Sequence, residues 1–187
     1  MIKNKKDYYY FLEMDKKALG KKGKPKIIGD IVWKWEILLR RCEYYKNTNK
    51  KIRFKVYKYF FNRLSIKLGY TIPLNVFDYG LSIAHYGTIV VNGNSKIGKN
   101  CRIQEGVTIG ATNGNESAPV IGDNVFIGSG AKIIGDIVIG DNTAVGAGAV
   151  VVKSFEDGNC TIGGVPAKKI SNNSSSLNLL INHKERG

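Results

Sequence analysis

The sequence predicts an α+β protein, with a helical N-terminal domain followed by a solenoid of short strands. Two patterns support this prediction: helical spacing in two segments before residue 70, and a six-residue aliphatic repeat from Ile97 to Val151. Charge separates the same two parts, because residues 1–69 contain 20 Lys and Arg against 6 Asp and Glu, whereas residues 70–187 contain 9 of each. The whole net charge of +14 therefore lies in the first 69 residues.

Two helices are predicted in the basic domain, residues 1–69. Residues 30–47 have helical spacing, with Asp30 as the N-cap. Residues 51–69 form the second helix, with Gly69 suited to its C-cap. The apolar residues at helical spacing in this second segment are Val56, Tyr57, Phe60, Phe61, Leu64 and Leu68. The basic segment 16–26 is expected to be a loop.

The solenoid is predicted from the repeat, whose aliphatic positions are Ile97, Ile103, Ile109, Ile121, Ile127, Ile133, Ile139, Val145 and Val151. Only Asn115 breaks the series, within the polar stretch ATNGNESAP. Turn formers, mostly Asn, Asp and Gly, come three positions after these residues. Three hexapeptides complete one coil, so we expect Ile103 to stack on Ile121 and Ile139, and Ile109 to stack on Ile127 and Val145.

Composition limits the location and class of the protein. No apolar run reaches the roughly 18 residues of a transmembrane helix, and the N-terminus lacks the apolar region of a signal peptide. Cys42, Cys101 and Cys160 are far apart and form no CxxC pair, which favours a reducing cytoplasm and excludes a cysteine-rich zinc module. Residues 171–187 are expected to be a polar, mobile tail, which contains His183.

Three segments resemble the hexapeptide-repeat acyltransferases, in particular the serine O-acetyltransferase branch. They are GLSIAHYGTIVVNGNSKIGKNCRIQEGVTIGAT, the repeats that resume after ATNGNESAP, and GGVPAK at 163–168. The resemblance implies a left-handed parallel β-helix over residues 70–170. It also implies a homotrimer or a dimer of trimers, with acetyl-CoA as co-substrate in the groove between two subunits and no metal.

His85, in IAHYGTIVV, is the candidate catalytic residue. By the resemblance it matches the catalytic histidine of the family. Acetyl transfer from a thioester to a hydroxyl needs a base, and a neutral imidazole can take the hydroxyl proton and return it to the thiolate. Spacing alone also allows His85 to be a core residue, because position 85 lies a whole number of hexapeptides before Ile97 and so matches the aliphatic positions of the repeat. A γ-carbonic anhydrase is excluded because its metal needs three histidines and the repeat region has one.

A groove for coenzyme A is predicted from small residues spaced by 18 positions. Gly110, Gly128 and Gly146, each followed by Ala or Ser, would form a column without bulky side chains, along which a pantetheine arm could lie. The alternative is that these glycines only meet the turn requirement of the repeat. By the resemblance and this spacing, the candidate CoA-binding residues are Gly110, Ala111, Ser129, Gly130, Ala147, Lys153 and Lys168.

The chain departs from the serine enzymes at the positions that would recognise an amino acid. Ala84 stands where they have Asp, and Tyr70 where they have the carboxylate that orients the histidine. Ser117 and Ala118 replace an Arg-His pair. Because a zwitterion needs charged partners in a desolvated site, these replacements argue against serine as the acceptor.

Two acidic residues, Asp78 and Glu105, are candidate substitutes that orient His85 or contact an acceptor, and ordinary surface carboxylates are the alternative. The leading prediction is an acetyl-CoA-dependent O-acetyltransferase that acts on a sugar hydroxyl in surface polysaccharide biosynthesis. Serine O-acetyltransferase of cysteine biosynthesis is the alternative enzyme.

The third hypothesis is a non-enzymatic solenoid that recruits an anionic partner through its basic helices. The basic domain could hold the protein at the anionic inner face of the membrane, although a solvated face or a subunit contact explains it equally well. Nucleic acid is not expected, because the basic and aromatic residues of KVYKYFFNR interleave at helical spacing.

Overall fold

The structure is a computed structural model that describes residues 1–112, 114 and 116–180. The described residues contain three α-helices, α1 (Lys5–Ala18), α2 (Ile31–Asn47) and α3 (Lys51–Leu68). The two predicted helices are thus present, and α1 is an additional one. It begins where the Asn4 side chain accepts a hydrogen bond from the Asp7 N–H.

Of the two predicted helix caps, the one at Gly69 is present and the one at Asp30 is not. Gly69 ends α3 in the left-handed conformation, with φ of 78°, as the sequence predicts. Asp30 precedes α2, but its predicted capping hydrogen bond is absent because the residue itself adopts a left-handed conformation with φ of 46°. Its carboxylate instead accepts from the Lys21 ammonium at 2.6 Å and from the Lys26 N–H at 3.0 Å.

Short strands follow the helices, and they wind into a β-helix. Within the described residues they are β1 (Tyr70–Thr71), β2 (Ser82–Ile83), β3 (Ile89–Val91), β4 (Lys96–Ile97), β5 (Arg102–Ile103), β6 (Thr108–Gly110), β7 (Val120–Ile121), β8 (Phe126–Ile127), β9 (Lys132–Ile134), β10 (Val138–Ile139), β11 (Ala144–Val145), β12 (Val150–Val151), β13 (Thr161–Gly163) and β14 (Lys168–Ser171).

These strands form three sheets, in the orders β1-β3-β6-β9-β12, β10-β7-β4 and β14-β13-β11-β8-β5-β2. All described pairings are parallel except that of β13 with β14. Each complete coil gives one strand to each sheet, and the aliphatic residues of the repeat fill the space between the sheets. The predicted fold class is confirmed.

The predicted stacking of the core residues is wrong across the polar stretch. Ile103 pairs with Ile127 rather than lying over Ile121, and Ile109 pairs with Ile133. The reason is that the coil from Ile97 to Ile121 contains one hexapeptide more than the coils that follow. This extra length leaves the coil as a loop. Ile103 and Ile109 therefore pair with residues six positions further along the chain than predicted.

One corner of the β-helix is formed by asparagines in left-handed conformation. Asn100, Asn124, Asn142 and Asn159 have φ between 46° and 57°. Each of the first three donates its side-chain amide to the next one in the series, at 2.9–3.1 Å. Three of these residues are predicted turn formers of the repeat, so this part of the sequence analysis is confirmed.

The helical domain covers the first coil through buried charges. Arg40 is fully buried and uses all five of its N–H donors, on Asp15, on Glu43 and on the carbonyls of residues 77 and 78. Asp15 Oδ1 also accepts from the N–H groups of residues 80 and 81, at 2.8 and 2.9 Å. These contacts satisfy backbone groups at the open end of the solenoid, where the next coil is missing.

The first part of the predicted tail packs on the β-helix. Ser175, in a short 3₁₀ helix (Ser175–Asn178), is buried and donates its N–H to the Asn142 carbonyl at 3.0 Å. Residues 181–187, which include His183, lie outside the described residues. The three cysteines are free and buried. No helix in the described part of the chain is long and apolar enough to cross a membrane.

Candidate active site

His85 lies at an exposed corner immediately after β2, in the first complete coil. Two hydrogen bonds fix the backbone here. The Ala84 N–H donates to the Ile103 carbonyl at 3.1 Å, and the Tyr70 hydroxyl donates to the His85 carbonyl at 2.8 Å. The histidine is therefore a surface residue on a fixed backbone, and not the core residue that the six-residue phase left open.

Tyr70 holds the His85 backbone from the position where the serine enzymes have the orienting carboxylate. Its ring is buried and packs edge-on against Trp35, with centroids 5.0 Å apart. Burial raises the pKa of Tyr70, and the nearby Glu36 and Glu105 raise it further, so the hydroxyl stays a donor. Tyr70 thus contributes backbone position but no negative charge.

The strand register places Glu105 beside His85. Ser82 pairs with Arg102 and residue 83 with residue 103, so two residues further along His85 lies opposite Glu105 on the next coil. A Cβ on Gly87 would lie 2.9 Å from the Glu105 Cβ, which shows how closely the two coils approach here. Glu105 is therefore the acidic residue of the predicted pair that the fold brings to His85.

The carboxyl of Glu105 is held in its ionised form. Its pKa is lowered chiefly by the hydrogen bond from its own backbone N–H and further by electrostatic attraction to His85. Its Oε2 atom is buried and has no hydrogen-bond partner in the described part of the chain. Glu105 thus places a negative charge next to His85, and its Oε2 atom can accept a further hydrogen bond.

The same column continues over the following coils. Ile103 pairs with Ile127 and then with Val145, so Ser129 and Ala147 follow Glu105 at the same corner. Gly130 donates its N–H to the Glu105 carbonyl at 2.8 Å, which links the coils directly. The Ser129 hydroxyl donates to Gln104 Oε1 at 2.6 Å. The structure thus brings Ser129, Gly130 and Ala147 into one row with the histidine.

The predicted glycine column is correct in two members and wrong in the third. Gly128 and Gly146 stack, and a Cβ on Gly128 would come within 2.7 Å of the Ala147 nitrogen. Gly110 pairs with Ile134 on a different face of the coil, and Ala111 follows it there. The loop explains this error too, because spacing by 18 positions does not hold across it.

The remaining predicted site residues lie apart from His85. Asp78 is on the sheet of residues 77 and 97, where its carboxylate accepts from the Tyr79 N–H at 2.8 Å, so it does not orient the histidine. Lys153 is exposed, with its ammonium 5.4 Å from the Phe155 ring centroid. Lys168 is exposed in β14. Roles of the two lysines in binding coenzyme A stay predictions.

A cleft of about 360 Å³ lies between the helical domain and the first two coils. Arg102 and Ala84, the residue before His85, form part of its wall. Behind it, Glu36 is buried, with Oε1 accepting from the Ile83 N–H at 3.0 Å. The sequence analysis missed Arg102 and Glu36, because neither stands in a motif and their proximity depends on how the domains dock.

Comparison with known proteins agrees with this architecture. Residues 118–153 match the family model described as bacterial transferase hexapeptide (six repeats). The serine acetyltransferase of Bacillus pumilus is 32% identical over 130 residues, which cover 67% of this chain and 56% of the relative. That of Staphylococcus xylosus is 39% identical over 82 residues, covering 42% and 35%.

Solved structures extend the similarity to the helical domain. Serine acetyltransferase from Brucella abortus matches with a TM-score of 0.72 and 27% identity, covering 91% of this chain and 72% of that one. Its complex with coenzyme A matches with a TM-score of 0.71 and 27% identity, covering 91% and 70%. The Neisseria gonorrhoeae enzyme in complex with serine matches with a TM-score of 0.68 and 29% identity, covering 87% and 69%.

The repeat and the coil geometry define a hexapeptide-repeat protein with a left-handed β-helix. More particularly, the helical domain and the β-helix are together similar to those of the serine acetyltransferases, so the predicted resemblance is confirmed. The chain spans only 35% and 56% of the two relatives described above. Within the described residues, no group of three or more His, Cys, Asp and Glu is placed to hold a metal ion.

Proposed function

We propose that the protein is an acetyl-CoA-dependent O-acetyltransferase with His85 as its general base. The observation that carries this proposal is the row of His85, Glu105, Ser129 and Ala147 on successive coils. Similarity to acetyltransferases whose structures contain coenzyme A supports the same donor.

In the proposed reaction, the His85 imidazole takes the proton of the acceptor hydroxyl as its oxygen attacks the thioester carbonyl. The new C–O bond forms, the C–S bond breaks, and the imidazolium returns the proton to the departing thiolate. Tyr70 fixes the backbone of the histidine. Glu105 stabilises the imidazolium by its negative charge, the contribution that Tyr70 does not make.

The donor would lie along the row that begins at His85. Gly128 and Gly146 have no side chains, and Ser129 and Ala147 have short ones, which leaves room for an extended pantetheine arm. Gly110 and Ala111 lie on a different face, so they would contact the same donor only from a neighbouring subunit. This arrangement fits the predicted trimer, in which two β-helices form each groove.

Two acceptors remain, and the relatives favour serine. The relatives and solved structures described above are named serine acetyltransferases, which supports serine better than the sugar of the leading sequence prediction. A sugar hydroxyl remains the second candidate for a specific reason. Ala84, Ser117 and Ala118 are neutral at the positions that, by the resemblance, would hold the charged groups of an amino acid.

The test is release of coenzyme A from acetyl-CoA with L-serine and with a panel of sugars, for wild type and His85→Ala. Loss of a general base costs about 10²–10⁴ in turnover, so we expect a loss of this size with the productive acceptor. A His85→Ala variant within about threefold of wild type would overturn the assignment. The non-enzymatic alternative predicts no binding of acetyl-CoA, which calorimetry measures directly.

A subunit contact is further supported by α3, which leaves one apolar face exposed. The exposed apolar side chains on this helix are Ile52, Val56, Tyr59, Phe60 and Ile66. Large exposed apolar patches commonly mark interfaces between proteins. Light scattering on the assayed samples should therefore give a mass above the monomer, with the trimer as the proposed unit.

A further inference from the structure

A second cavity, of about 340 Å³, lies within the helical domain, where α1, α2 and the start of α3 meet. We call it the tyrosine pocket, because its lining consists of five tyrosines together with Lys5, Arg41, Lys50 and Arg53. It shares no lining residue with the cleft described above. Its volume falls within the range of small-molecule sites, roughly 300–1,000 Å³, so it is a separate candidate binding site.

The four cations of the tyrosine pocket have aromatic rings as partners. Each lies over the ring of one tyrosine of the pocket, with its charged group 4.8–5.9 Å from the ring centroid. The shortest of these distances joins the Lys50 ammonium to the Tyr44 ring, at 4.8 Å. A ring face attracts a cation but has no net charge. These contacts therefore hold the cations around the pocket without neutralising them.

Carboxylates do not neutralise the pocket either. No described ion pair involves any of its four cations, and no Asp or Glu of the described residues lines it. Two acids close to the lining along the chain have other partners. Asp7 accepts from the Lys3 N–H at 2.8 Å, on the outside of α1. Glu43 is buried and pairs with Arg40 at 3.0 Å.

Two tyrosine hydroxyls add neutral donors to the pocket. Arg41 Nε donates to the Tyr8 hydroxyl at 3.3 Å, and the Lys50 ammonium donates to the Tyr44 hydroxyl at 3.0 Å. A hydroxyl that accepts from a cation still has its own proton to donate. The side chains of the pocket thus combine four positive charges with O–H donors and have no carboxylate acceptor. A phosphate group complements this set, because it concentrates about −1.5 to −2 of charge and three acceptor oxygens on one centre.

We propose that the tyrosine pocket binds a phosphate-bearing ligand, with a phosphate or diphosphate group between its cations. This site is additional to the proposed acetyl transfer and does not depend on it. Arginines contact phosphate oxygens through paired N–H groups and lysines contact them as point charges, while the tyrosine rings offer apolar surface to the organic part of the ligand. A soluble organic phosphate and a phospholipid headgroup both provide this chemistry, and the experiment distinguishes them.

The first arm of the experiment is calorimetry of the full chain with sodium diphosphate at constant ionic strength. The pocket variant is Lys50→Gln with Arg53→Gln, because both residues are exposed and their replacement should leave the fold intact. A hydrogen bond to a charged group contributes about 10- to 100-fold in affinity, so this variant should bind diphosphate at least that much more weakly than wild type. Thermal unfolding curves confirm that both proteins are folded.

The matched control is Lys55→Gln with Lys67→Gln. These lysines are exposed on α3 and do not line the pocket, so the control loses the same net charge from the same helix. Its affinity for diphosphate should stay near the wild-type value. Equal weakening in both double variants would show only general attraction to a basic domain and would overturn the site. Absence of binding to wild type, or equal affinity for citrate, would overturn it as well.

Steady-state kinetics test whether the site is separate from the donor site. The pocket variant should keep the wild-type KM for acetyl-CoA, because the pocket shares no residue with the row that begins at His85. A raised KM for acetyl-CoA in this variant, with a normal KM in the control, would assign the cations to the donor and overturn a separate site.

The second arm identifies the source of the phosphate by sedimentation with vesicles of phosphatidylcholine, with and without phosphatidate. Sedimentation of wild type and of the control with the phosphatidate vesicles, reduced at least 10-fold in the pocket variant, would support a lipid headgroup. Wild type that binds diphosphate but sediments with neither type of vesicle would support a soluble organic phosphate. Equal sedimentation of the pocket variant and the control with phosphatidate vesicles, together with equal diphosphate affinity, would overturn the proposal.

Discussion

In the β-helix, each coil packs on the next through the same residue types, whereas the helical domain packs on the first coil through side chains that occur once. Aliphatic residues stack between coils, as Ile103, Ile127 and Val145 do. At the junction, Arg40 and Asp15 form a buried network with the backbone of the first coil. The stability of the β-helix is therefore distributed over many similar contacts, whereas that of the junction depends on a few contacts that occur only once.

Removing one charge should therefore affect the junction far more than removing a methyl group affects a coil. Arg40→Leu leaves the carboxylates of Asp15 and Glu43 buried without their partner, and breaking a buried ion pair costs about 3–5 kcal/mol. The coil control is Ile103→Val, for which we expect about 0.5–1.5 kcal/mol. Urea unfolding measures both values, and equal losses would contradict the distinction.

The same contrast explains how much the sequence revealed. The aliphatic positions and the turn asparagines were predictable because the same residue types recur at these positions several times along the chain. The register across ATNGNESAP was not predictable, since a loop can add residues to one coil without changing the six-residue phase. If the six residues that the loop adds are left out of the count, the spacing of three hexapeptides places residue 103 on residue 127, as observed.

The junction was not predictable, because its residues look like surface residues in the sequence. Helix α1, with the sequence KKDYYYFLEMDKKA, is rich in charge, and its buried Asp15 finds its partners only when α2 and the first coil assemble. Of the candidate site, the His85 motif and Glu105 were recognised. Arg102 faces the cleft only through the docking of the two parts, which no local pattern encodes.

Within the repeated part, the structure separates the two acids that the sequence left equivalent. Glu105→Gln removes the negative charge beside His85 while keeping the shape of the side chain, so we expect kcat to fall about 10- to 100-fold. The KM for acetyl-CoA should stay unchanged. Asp78→Asn is the matched control, because Asp78 lies on another sheet, and it should remain within about twofold of wild type.

Steady-state kinetics of both variants, with unfolding curves to show intact folds, decides this comparison. A large loss in Asp78→Asn together with a normal Glu105→Gln would reverse the assignment. That result would mean that the register of the coils does not determine which carboxylate acts on the histidine.

The smallest expected effect is a pH dependence of the free energy of unfolding, which Glu36 at the junction should cause. Glu36 is a buried carboxyl that interacts electrostatically with Asp15, Arg40, Arg102 and Tyr70, and burial raises its pKa well above the ordinary range. A raised folded pKa means that stability is present below the unfolded pKa and is lost as pH rises through the folded one. The wild-type protein therefore loses free energy of unfolding above the unfolded pKa, because the carboxyl ionises in the unfolded chain while it stays protonated in the folded one.

Glu36→Gln cannot ionise, and its amide oxygen can still accept from the Ile83 N–H. The free energy of unfolding of the variant relative to wild type should therefore rise with pH above about pH 5, where the wild-type carboxyl is ionised in the unfolded chain but still protonated in the folded one. Urea unfolding of both proteins across this range measures the difference. A difference that does not change with pH would show that Glu36 is already charged in the folded protein, in which case it would serve as the counter-ion of Arg102.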